Sequence, residues 1–152
     1  MELMQQKQIS EINRPGNLYT IFSRPHMVQF AGFKAKVDLY IEKQDHIVKT
    51  AGSEWELEQA LRLRHDVFIC ELLGKKKLFG VDIDRYDRQC DHLMIIEKST
   101  GDCVGCYRLN SNLYSDKFYS EKEFHLGRIP DQRGPLLEIG RACIKKEHRN
   151  SN

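Results

Sequence analysis

Apolar residues recur at helical spacing between residues 53 and 73. The stripe is made by Trp55, Leu57, Ala60, Leu61, Leu63, Val67 and Phe68. Ser53 and Glu56 have the spacing of a capping box, in which each side chain satisfies a backbone N–H left free at the start of a helix. The pattern therefore predicts a helix over 53–73 with a bend near His65, ended by Gly74 and followed by solvated lysines.

Alternating apolar and polar positions predict strands on both sides of this helix. The predicted strands cover 36–42, 46–51, 92–97, 103–109 and 136–144. The turn "KSTGD" joins the third and fourth strands into a hairpin, and the Ser120–Glu123 spacing indicates a short helical turn capped by those two residues. The order strand, helix, hairpin, strand predicts an α/β domain over 36–152.

The first 35 residues show no sustained periodicity. The breaker signals "NRPG" and "SRPH" fall here, so we expect a partly ordered extension over 1–35, packed as an arm. The polar N-terminus lacks the apolar stretch of a signal peptide, and no run of 18 apolar residues occurs. We therefore expect a cytoplasmic chain.

Charge and cysteine content narrow the function classes. A formal net charge of +2 is too small for the concentrated basic surface that nucleic acid requires, so no nucleic-acid partner is expected. Cys103 and Cys106 form a C-x-x-C motif, but no second ligand pair follows at zinc spacing. We interpret both as small residues in a strand and expect no metal; a zinc or redox motif is the alternative.

The last predicted strand contains two charges. Within "LLEIGRACIKK" (136–146), Glu138 and Arg141 flank Gly140. Burying a lone charge is costly, so charges in apolar strands usually pair or meet a ligand. Residues three apart on a strand point to opposite faces, unless a β-bulge re-aims one of them. Because Gly140 permits such a bulge, the sequence predicts a kinked strand that presents both groups. Other charges expected to face inward or line a cleft are Arg64, Asp82, Asp84, Asp87 and Arg108.

Five segments carry a family resemblance. They are "LRLRHDVF" (61–68), "DIDRYDRQCDHLMII" (82–96), "VGCYRL" (104–109), "FYSEKEFHL" (118–126) and "LLEIGRACIKKEHR" (136–149). In order and spacing over 46–149, they resemble the hemolysin-like acyltransferases of the GNAT superfamily, which make N-acyl-ornithine for ornithine lipids. A more distant similarity is to the acyl-homoserine lactone synthases. It rests on Arg64, Phe68, Asp84, Asp87, Arg108, Glu138 and Arg141. That family has a Trp shortly after the Phe, where this chain has Leu73, Gly74 and Lys75.

The resemblance implies a GNAT fold of the α/β class (an α+β sandwich). Its sheet is expected to be mixed and twisted, with flanking helices and a V-shaped splay that holds the acyl thioester. By this comparison, 36–152 is the N-terminal portion of the domain, and the C-terminal part with the donor-binding loop and helix is missing from the chain. The last strand is then expected to have an unprotected edge that favours self-association.

The resemblance also implies roles for individual residues. Glu138 and Arg141 are the catalytic candidates: Glu138 would contact the acceptor amine directly or through water, and Arg141 would either anchor a carboxylate or pair with Asp84 or Asp87. The expected substrate-binding residues are Arg64, Phe68, Asp84, Asp87 and Arg108.

The implied reaction is N-acyl transfer to an amino acid such as ornithine. The donor would be an acyl carrier protein or CoA thioester, with no permanently bound cofactor. Contact with a membrane surface at its inner face is a further expectation. The alternatives are an autoinducer synthase that uses S-adenosylmethionine, and a binding module without catalytic activity.

Overall fold

The computed structural model describes residues 25–129 and 133–149. Its strands are β1 (Tyr40–Glu42), β2 (His46–Thr50), β3 (Asp91–Glu97), β4 (Cys103–Ser111) and β5 (Leu137–Ile144). Its α-helices are α1 (Glu54–Arg64) and the short α2 (Ser120–Glu123). A π-helix (His65–Glu71) continues α1, and 3₁₀ helices cover Pro25–Phe30, Asp87–Gln89 and Lys146–His148. No described helix is both long and apolar enough to cross a bilayer.

The five strands form one sheet in the order β1-β2-β3-β4-β5, and α1 packs on one face of it. This confirms the predicted α/β arrangement, the hairpin and the pairing of the last strand with β4. Every described pair is antiparallel, however, whereas a mixed sheet with a splay was expected. No parallel pair occurs among the described residues, and the splay stays a prediction.

Helix α1 begins as its sequence predicts. The Ser53 hydroxyl accepts a hydrogen bond from the Glu56 N–H at 3.3 Å, while the Glu56 carboxylate accepts one from Gly52 at 2.7 Å rather than from Ser53. Leu57 and Leu61 are buried, but the assignment of Trp55 to the apolar stripe is wrong, because this side chain is 55% exposed. Trp55 lies two residues before Leu57, and residues at that spacing on a helix do not share a face.

The expected bend at His65 is a change of helix type. From His65 onward the backbone bonds widen to the π pattern, with Leu72 donating to the Val67 carbonyl at 3.2 Å. The His65 Nε2 atom accepts the Lys77 N–H at 3.1 Å, which draws the following loop back onto the helix. Gly74, at φ +61°, ends the helix in the left-handed conformation that glycine adopts without steric cost.

The core lies between α1 and the sheet. It contains Leu57, Ala60 and Leu61 from α1 together with Met94 and Cys106 from the strands. The 3₁₀ helix Pro25–Phe30 adds buried Met27 and Phe30 to this core. Residues 1–24 lie outside the described residues, and the boundary after residue 35 stays a prediction.

A bulge re-aims the last strand. Cys106 lies opposite Cys143, whereas Arg108 lies opposite Gly140, so β5 contains one residue more than β4 over this step. The predicted bulge is confirmed, but the left-handed residue is Arg141 (φ +51°) and not Gly140. β5 is an edge strand of the described sheet, and its Leu137, Ile139 and Ile144 side chains are exposed.

Candidate active site

Four parts of the chain bring charged groups together beside the C-terminal end of β4. Arg64 is the last residue of α1 and continues the buried stripe of Leu57 and Leu61 by one helical turn. The acidic loop after Gly80 supplies the carboxylates, and Arg108 and Arg141 come from β4 and β5. These four parts are the ones that the sequence marked with charges at apolar positions.

Arg64 is the buried centre of this cluster. Its side chain is 0% exposed, with Nη1 at 2.6 Å from Asp87 Oδ1 and Nη2 at 3.0 Å from Asp82 Oδ2. Burial opposes the charge of Arg64, but the neighbouring Asp87 and Asp82 carboxylates raise the pKa of the guanidinium above its ordinary value. Arg64 is therefore a permanent cation that holds the acidic loop against the helix.

Arg108 ties the same loop to the sheet. Its Nη1 atom lies 2.6 Å from Asp84 Oδ2 and 3.2 Å from Asp87 Oδ1. The Asp87 carboxylate also accepts the Asp84 N–H at 2.7 Å, so the loop is bonded internally as well. Burial would raise the pKa of Asp84, but the hydrogen bond and charge of Arg108 hold that pKa below its ordinary value.

Arg141 occupies the open side of the cluster. Its Nη2 atom donates to Asp84 Oδ2 at 3.1 Å, and Nε lies 3.7 Å from Asp82 Oδ2. The side chain is 28% exposed, and its buried Nε has no hydrogen-bond acceptor among the described residues. The pairing with Asp84 that the sequence left open is thus present, and part of the guanidinium is still available to a ligand. The left-handed backbone of Arg141 costs about 1–2 kcal/mol, a strain that often marks functional positions.

The cluster has an excess of positive charge. Lys77 joins it through a 2.7 Å contact between its Nζ and Asp82. Burial would raise the pKa of Asp82, but the hydrogen bond from Lys77 and the charge of Arg64 lower it. Four cations (Arg64, Lys77, Arg108, Arg141) thus face three carboxylates (Asp82, Asp84, Asp87), which gives a net charge of +1. Such a cluster favours an anionic ligand group at its open side.

Glu138 lies beside the cluster and holds the turn at α2. Its two carboxylate oxygens accept the Tyr119 and Ser120 N–H groups at 2.9 and 2.7 Å. Burial would raise the pKa of Glu138, but hydrogen bonds from Ser120, Tyr119 and Asn110 lower it below its ordinary value. The predicted helical turn is present, but its predicted cap by Ser120 and Glu123 is wrong, because Glu138 binds the free N–H groups instead.

Two tyrosines that the sequence analysis missed cover the arginines. The Tyr86 and Tyr119 rings meet edge to face with their centroids 5.5 Å apart. The guanidinium carbon of Arg108 lies 5.5 Å from the Tyr86 ring centre and 5.4 Å from that of Tyr119, and that of Arg141 lies 5.2 Å from Tyr119. Cation–π contacts of this kind orient a guanidinium plane. Both tyrosines fall in the quoted segments, but no spacing in the sequence relates position 86 to position 119.

Two further residues near the cluster have packing roles. Phe68 is half-buried against the apolar core and makes no ion-pair or ring contact in the described structure, so its place in substrate binding stays a prediction. His92 is buried, and its Nε2 donates to the Asp87 carbonyl at 3.2 Å. Burial lowers the pKa of His92 to about 4, so the ring is neutral at pH 7 and supports the acidic loop without adding charge.

The cysteines and histidines of the described residues are held mainly by other protein groups. Cys103 donates to the Gly105 carbonyl, burial raises its pKa to about 12, and the Cys106 sulfur lies 3.4 Å from that of Cys143. Ligand atoms of His65, Asp66 and Cys70 lie within 4.8 Å of one another. However, His65 Nε2 already accepts the Lys77 N–H, and Nδ1 lies 3.2 Å from Asp66 Oδ1, so both ring nitrogens already have protein partners. The expectation of no metal stays a prediction.

A surface cavity lies at the opposite end of β4 from the cluster. It has a volume of about 320 Å³ and is bordered by Leu63, Val67, Cys103 and Lys145, among other residues. None of the cluster residues lines this cavity. The face of the sheet under α1 therefore has two separate features: the charged cluster near Arg108 and the cavity near Cys103.

Comparisons with known proteins agree with the fold. Residues 63–152 match the acetyltransferase (GNAT) domain family. Because this match covers more than half of the chain, the protein belongs to the GNAT family, as the sequence segments indicated.

The names of the similar proteins are more specific than the description of the family. An L-ornithine N(alpha)-acyltransferase of Brucella abortus is 32% identical over 143 residues, which is 79% of this chain and 51% of the relative. Proteins of the same name from Agrobacterium fabrum and Rhizobium meliloti are each 33% identical, over 66% of this chain and 39% of the relative. The chain thus spans about half the length of these relatives or less. No solved structure gives a significant match.

Proposed function

We propose that the protein is an N-acyltransferase that joins an acyl group from a thioester to the amine of an amino acid such as ornithine. The observation that carries this proposal is the cluster with its excess positive charge and the partly exposed guanidinium of Arg141 at its open side. The similarity to L-ornithine N(alpha)-acyltransferases supports ornithine as the acceptor to test first.

The acceptor would bind at the open side of the cluster. A guanidinium binds a carboxylate through two parallel hydrogen bonds, and Arg141 retains donors for this purpose beside its contact with Asp84. Arg64 and Arg108 are buried and already paired, so they would position the acidic loop and leave Arg141 to contact the acceptor. Asp84, which is partly exposed, lies close enough to Arg141 to set its orientation.

Glu138 would direct the acceptor amine. Its pKa is lowered, so it is a carboxylate at neutral pH and can accept a hydrogen bond from an ammonium group or an intervening water molecule. The ammonium group loses one proton to solvent water, and the freed nitrogen lone pair attacks the thioester carbonyl carbon. A C–N bond forms, the C–S bond breaks, and the second proton lost by the nitrogen balances the one that the departing thiolate takes up to become a thiol.

The donor would be a thioester of acyl carrier protein or CoA. Lys145 and Lys146 follow β5 and border the cavity at the Cys103 end of β4. Both donors contain a phosphopantetheine group, whose phosphate suits lysine side chains as partners. No resident cofactor is required by this chemistry.

The experiment is a thiol-release assay with product analysis. The protein is incubated with acyl carrier protein or CoA thioesters and ornithine. We expect thiol release that depends on ornithine, with N-acyl-ornithine detected by mass spectrometry. Thiol release that instead requires S-adenosylmethionine and yields a lactone would assign an autoinducer synthase. An intact thioester with every amino acid tested would contradict the proposal.

A pair of carboxylate variants separates chemistry from packing. Glu138→Gln and Glu121→Gln each alter a carboxylate that accepts backbone N–H groups in the same turn, since Glu121 binds the Phe118 N–H at 2.8 Å. Each change should cost about 1 kcal/mol of unfolding free energy. Only Glu138→Gln should slow acyl transfer. Equal rates in the two variants would show that Glu138 has only a structural role.

A further inference from the structure

The loop after the π-helix exposes large apolar side chains to solvent. Leu72, Leu73, Leu78 and Phe79 are all exposed, and Leu78 is 91% exposed. Three consecutive lysines, 75–77, lie between the two apolar pairs. We call residues 72–79 the leucine–lysine loop. Single exposed apolar residues are common on proteins, but several grouped within one short loop mark an interaction site.

The loop has a defined shape. The Lys75 N–H donates to the Ile69 carbonyl at 2.9 Å, and the Gly80 N–H donates to the Lys77 carbonyl at 3.1 Å. The Lys77 N–H is bound by His65 Nε2, and its ammonium group is bound by Asp82 at 2.7 Å. The backbone is therefore held at both ends and in the middle. These bonds give the loop a defined backbone on which Leu72, Leu73 and Leu78 are exposed, while the Phe79 ring stacks on His26 with the centroids 5.0 Å apart.

The charge of the loop is unbalanced. Lys75 and Lys76 are exposed, and within the described ranges neither has an acidic group at ion-pair distance. The nearest acidic residue along the chain, Glu71, is paired with Arg149 at 2.8 Å. The tip of the loop thus combines two free positive charges with protruding apolar groups.

We propose that the leucine–lysine loop docks the protein on an anionic lipid bilayer. Apolar side chains that enter the interface, together with lysines that meet anionic headgroups, are the combination that holds proteins at membrane surfaces. An acidic protein would also complement the lysines, but it would need an apolar pocket matched to side chains as exposed as Leu78, whereas a bilayer takes them up without one. The bilayer accounts for both features.

Docking by this loop would place the charged cluster at the membrane surface. Lys77 belongs to the loop and to the cluster at once, because its Nζ contacts Asp82. The inference does not depend on the acyl-transfer chemistry, and membrane binding can be measured without any substrate.

Vesicle co-sedimentation tests the proposal. The protein is mixed with vesicles of phosphatidylcholine alone or with added phosphatidylglycerol. We expect binding at least about tenfold tighter to the anionic vesicles, decreasing as salt is raised. Lys75→Gln/Lys76→Gln should weaken anionic binding about 10–30-fold, at about fivefold for each lysine. Leu73→Ser/Leu78→Ser should weaken it by at least about tenfold.

Matched variants elsewhere on the surface serve as controls. Leu113→Ser/Ile139→Ser removes two exposed aliphatic side chains, and Lys34→Gln/Lys43→Gln removes two exposed lysines. Both double variants should bind vesicles as the unaltered protein does. Loop variants that bind as tightly as these controls would overturn the proposal, as would equal binding to neutral and anionic vesicles.

Tryptophan quenching detects contact between the leucine–lysine loop and lipid directly, and it does not require a variant that loses membrane binding. The natural Trp55 is replaced by Phe, so that an introduced tryptophan is the only reporter. Brominated lipids should quench Phe79→Trp in this Trp55→Phe background and leave Leu113→Trp, at an exposed position outside the loop, unquenched in the same background. The reverse pattern would overturn the proposal. So would a complex with an acidic carrier protein that depends on the loop lysines, with no binding to anionic vesicles.

Discussion

The two ends of β4 are buried under the same helix but have different chemistry. At the Cys103 end, Cys103 and Cys106 belong to the apolar core, and the Cys106 thiol donates to the Ala60 carbonyl at 3.7 Å. At the other end, Arg108 and Asn110 are equally buried, but Arg108 pairs with carboxylates. One strand thus serves as a packing surface over its first half and as the wall of a charged cluster over its second.

The difference indicates why the charged end exists. Apolar burial stabilises a fold directly, whereas a buried ion pair must first overcome the desolvation of both partners and often contributes little net stability. The cluster is therefore poorly explained as a stabilising device. A ligand at the open side, as proposed above, would account for its excess positive charge and for the strained Arg141.

The largest expected effect comes from removing the centre of the charged end. Arg64→Met leaves the buried Asp87 and Asp82 without their main cation, and we expect a loss of about 3–5 kcal/mol of unfolding free energy. Urea unfolding measures this loss. Arg62→Met, which breaks a half-exposed pair with Glu58, should cost less than about 1 kcal/mol. Similar losses in the two variants would remove the distinction between buried and surface pairs.

Acid pH should reduce the stability contribution of the ion pairs at the charged end of β4 and leave that of the apolar core unchanged. The pKa of Asp82 is lower in the folded protein than in the unfolded chain. The stability that ionised Asp82 contributes is therefore fully present when the pH is above the unfolded pKa, and it is lost as the pH falls through the folded pKa. The loss caused by Arg64→Met should therefore shrink between pH 6 and pH 3. Leu61→Ala, in the apolar core, should cost about 2–5 kcal/mol at both pH values. Unfolding curves of both variants at the two pH values make the comparison, and an Arg64→Met loss that does not change with pH would contradict it.

A smaller effect is expected from the aromatic cover of the charged end. Tyr119→Leu removes the ring beside Arg108 and Arg141, which should cost about 1 kcal/mol and raise the KM for the amino-acid acceptor about fivefold. Tyr119→Phe retains the ring and should behave as the unaltered protein does.

The control for the aromatic cover is Tyr114→Leu. This half-buried tyrosine contacts Lys36 instead of the cluster, so its loss should affect stability and not the acceptor KM. A raised KM in Tyr114→Leu, or in Tyr119→Phe, would argue against a specific role of the Tyr119 ring.

Most of the fold could be predicted from the sequence, because its signals are local. The Ser53–Glu56 spacing located the start of α1, and period-two patterns located the strands. The π-helix could not be predicted in the same way, since the bond from Lys77 to His65 that accompanies it joins residues twelve positions apart. Trp55 was misplaced because hydrophobicity alone does not give the direction of a side chain in the first turn.

The site could be predicted as a set of residues but not as an arrangement. Charges at apolar positions identified Arg64, Arg108 and Arg141, and the structure brings these three into one cluster. The sequence also predicted a bulge beside Gly140, yet the left-handed residue is Arg141, because the register with β4 places the extra residue there. The contacts of Tyr119 depend on the packing of α2 against β5, which no local pattern encodes.

The central claim is that Arg141 at the charged end of β4 binds the carboxylate of an amino-acid acceptor. It is tested most directly by comparing acyl transfer to ornithine and to 1,4-diaminobutane, which lacks only the carboxylate, in the unaltered protein and in Arg141→Gln. Arg149→Gln, which alters an arginine of similar exposure paired with Glu71, is the control. We predict that the unaltered protein and Arg149→Gln prefer ornithine by about 10–100-fold in kcat/KM, because a hydrogen bond between charged groups contributes a free energy of this size. Arg141→Gln should lose most of this preference. An unchanged preference in Arg141→Gln would contradict the claim.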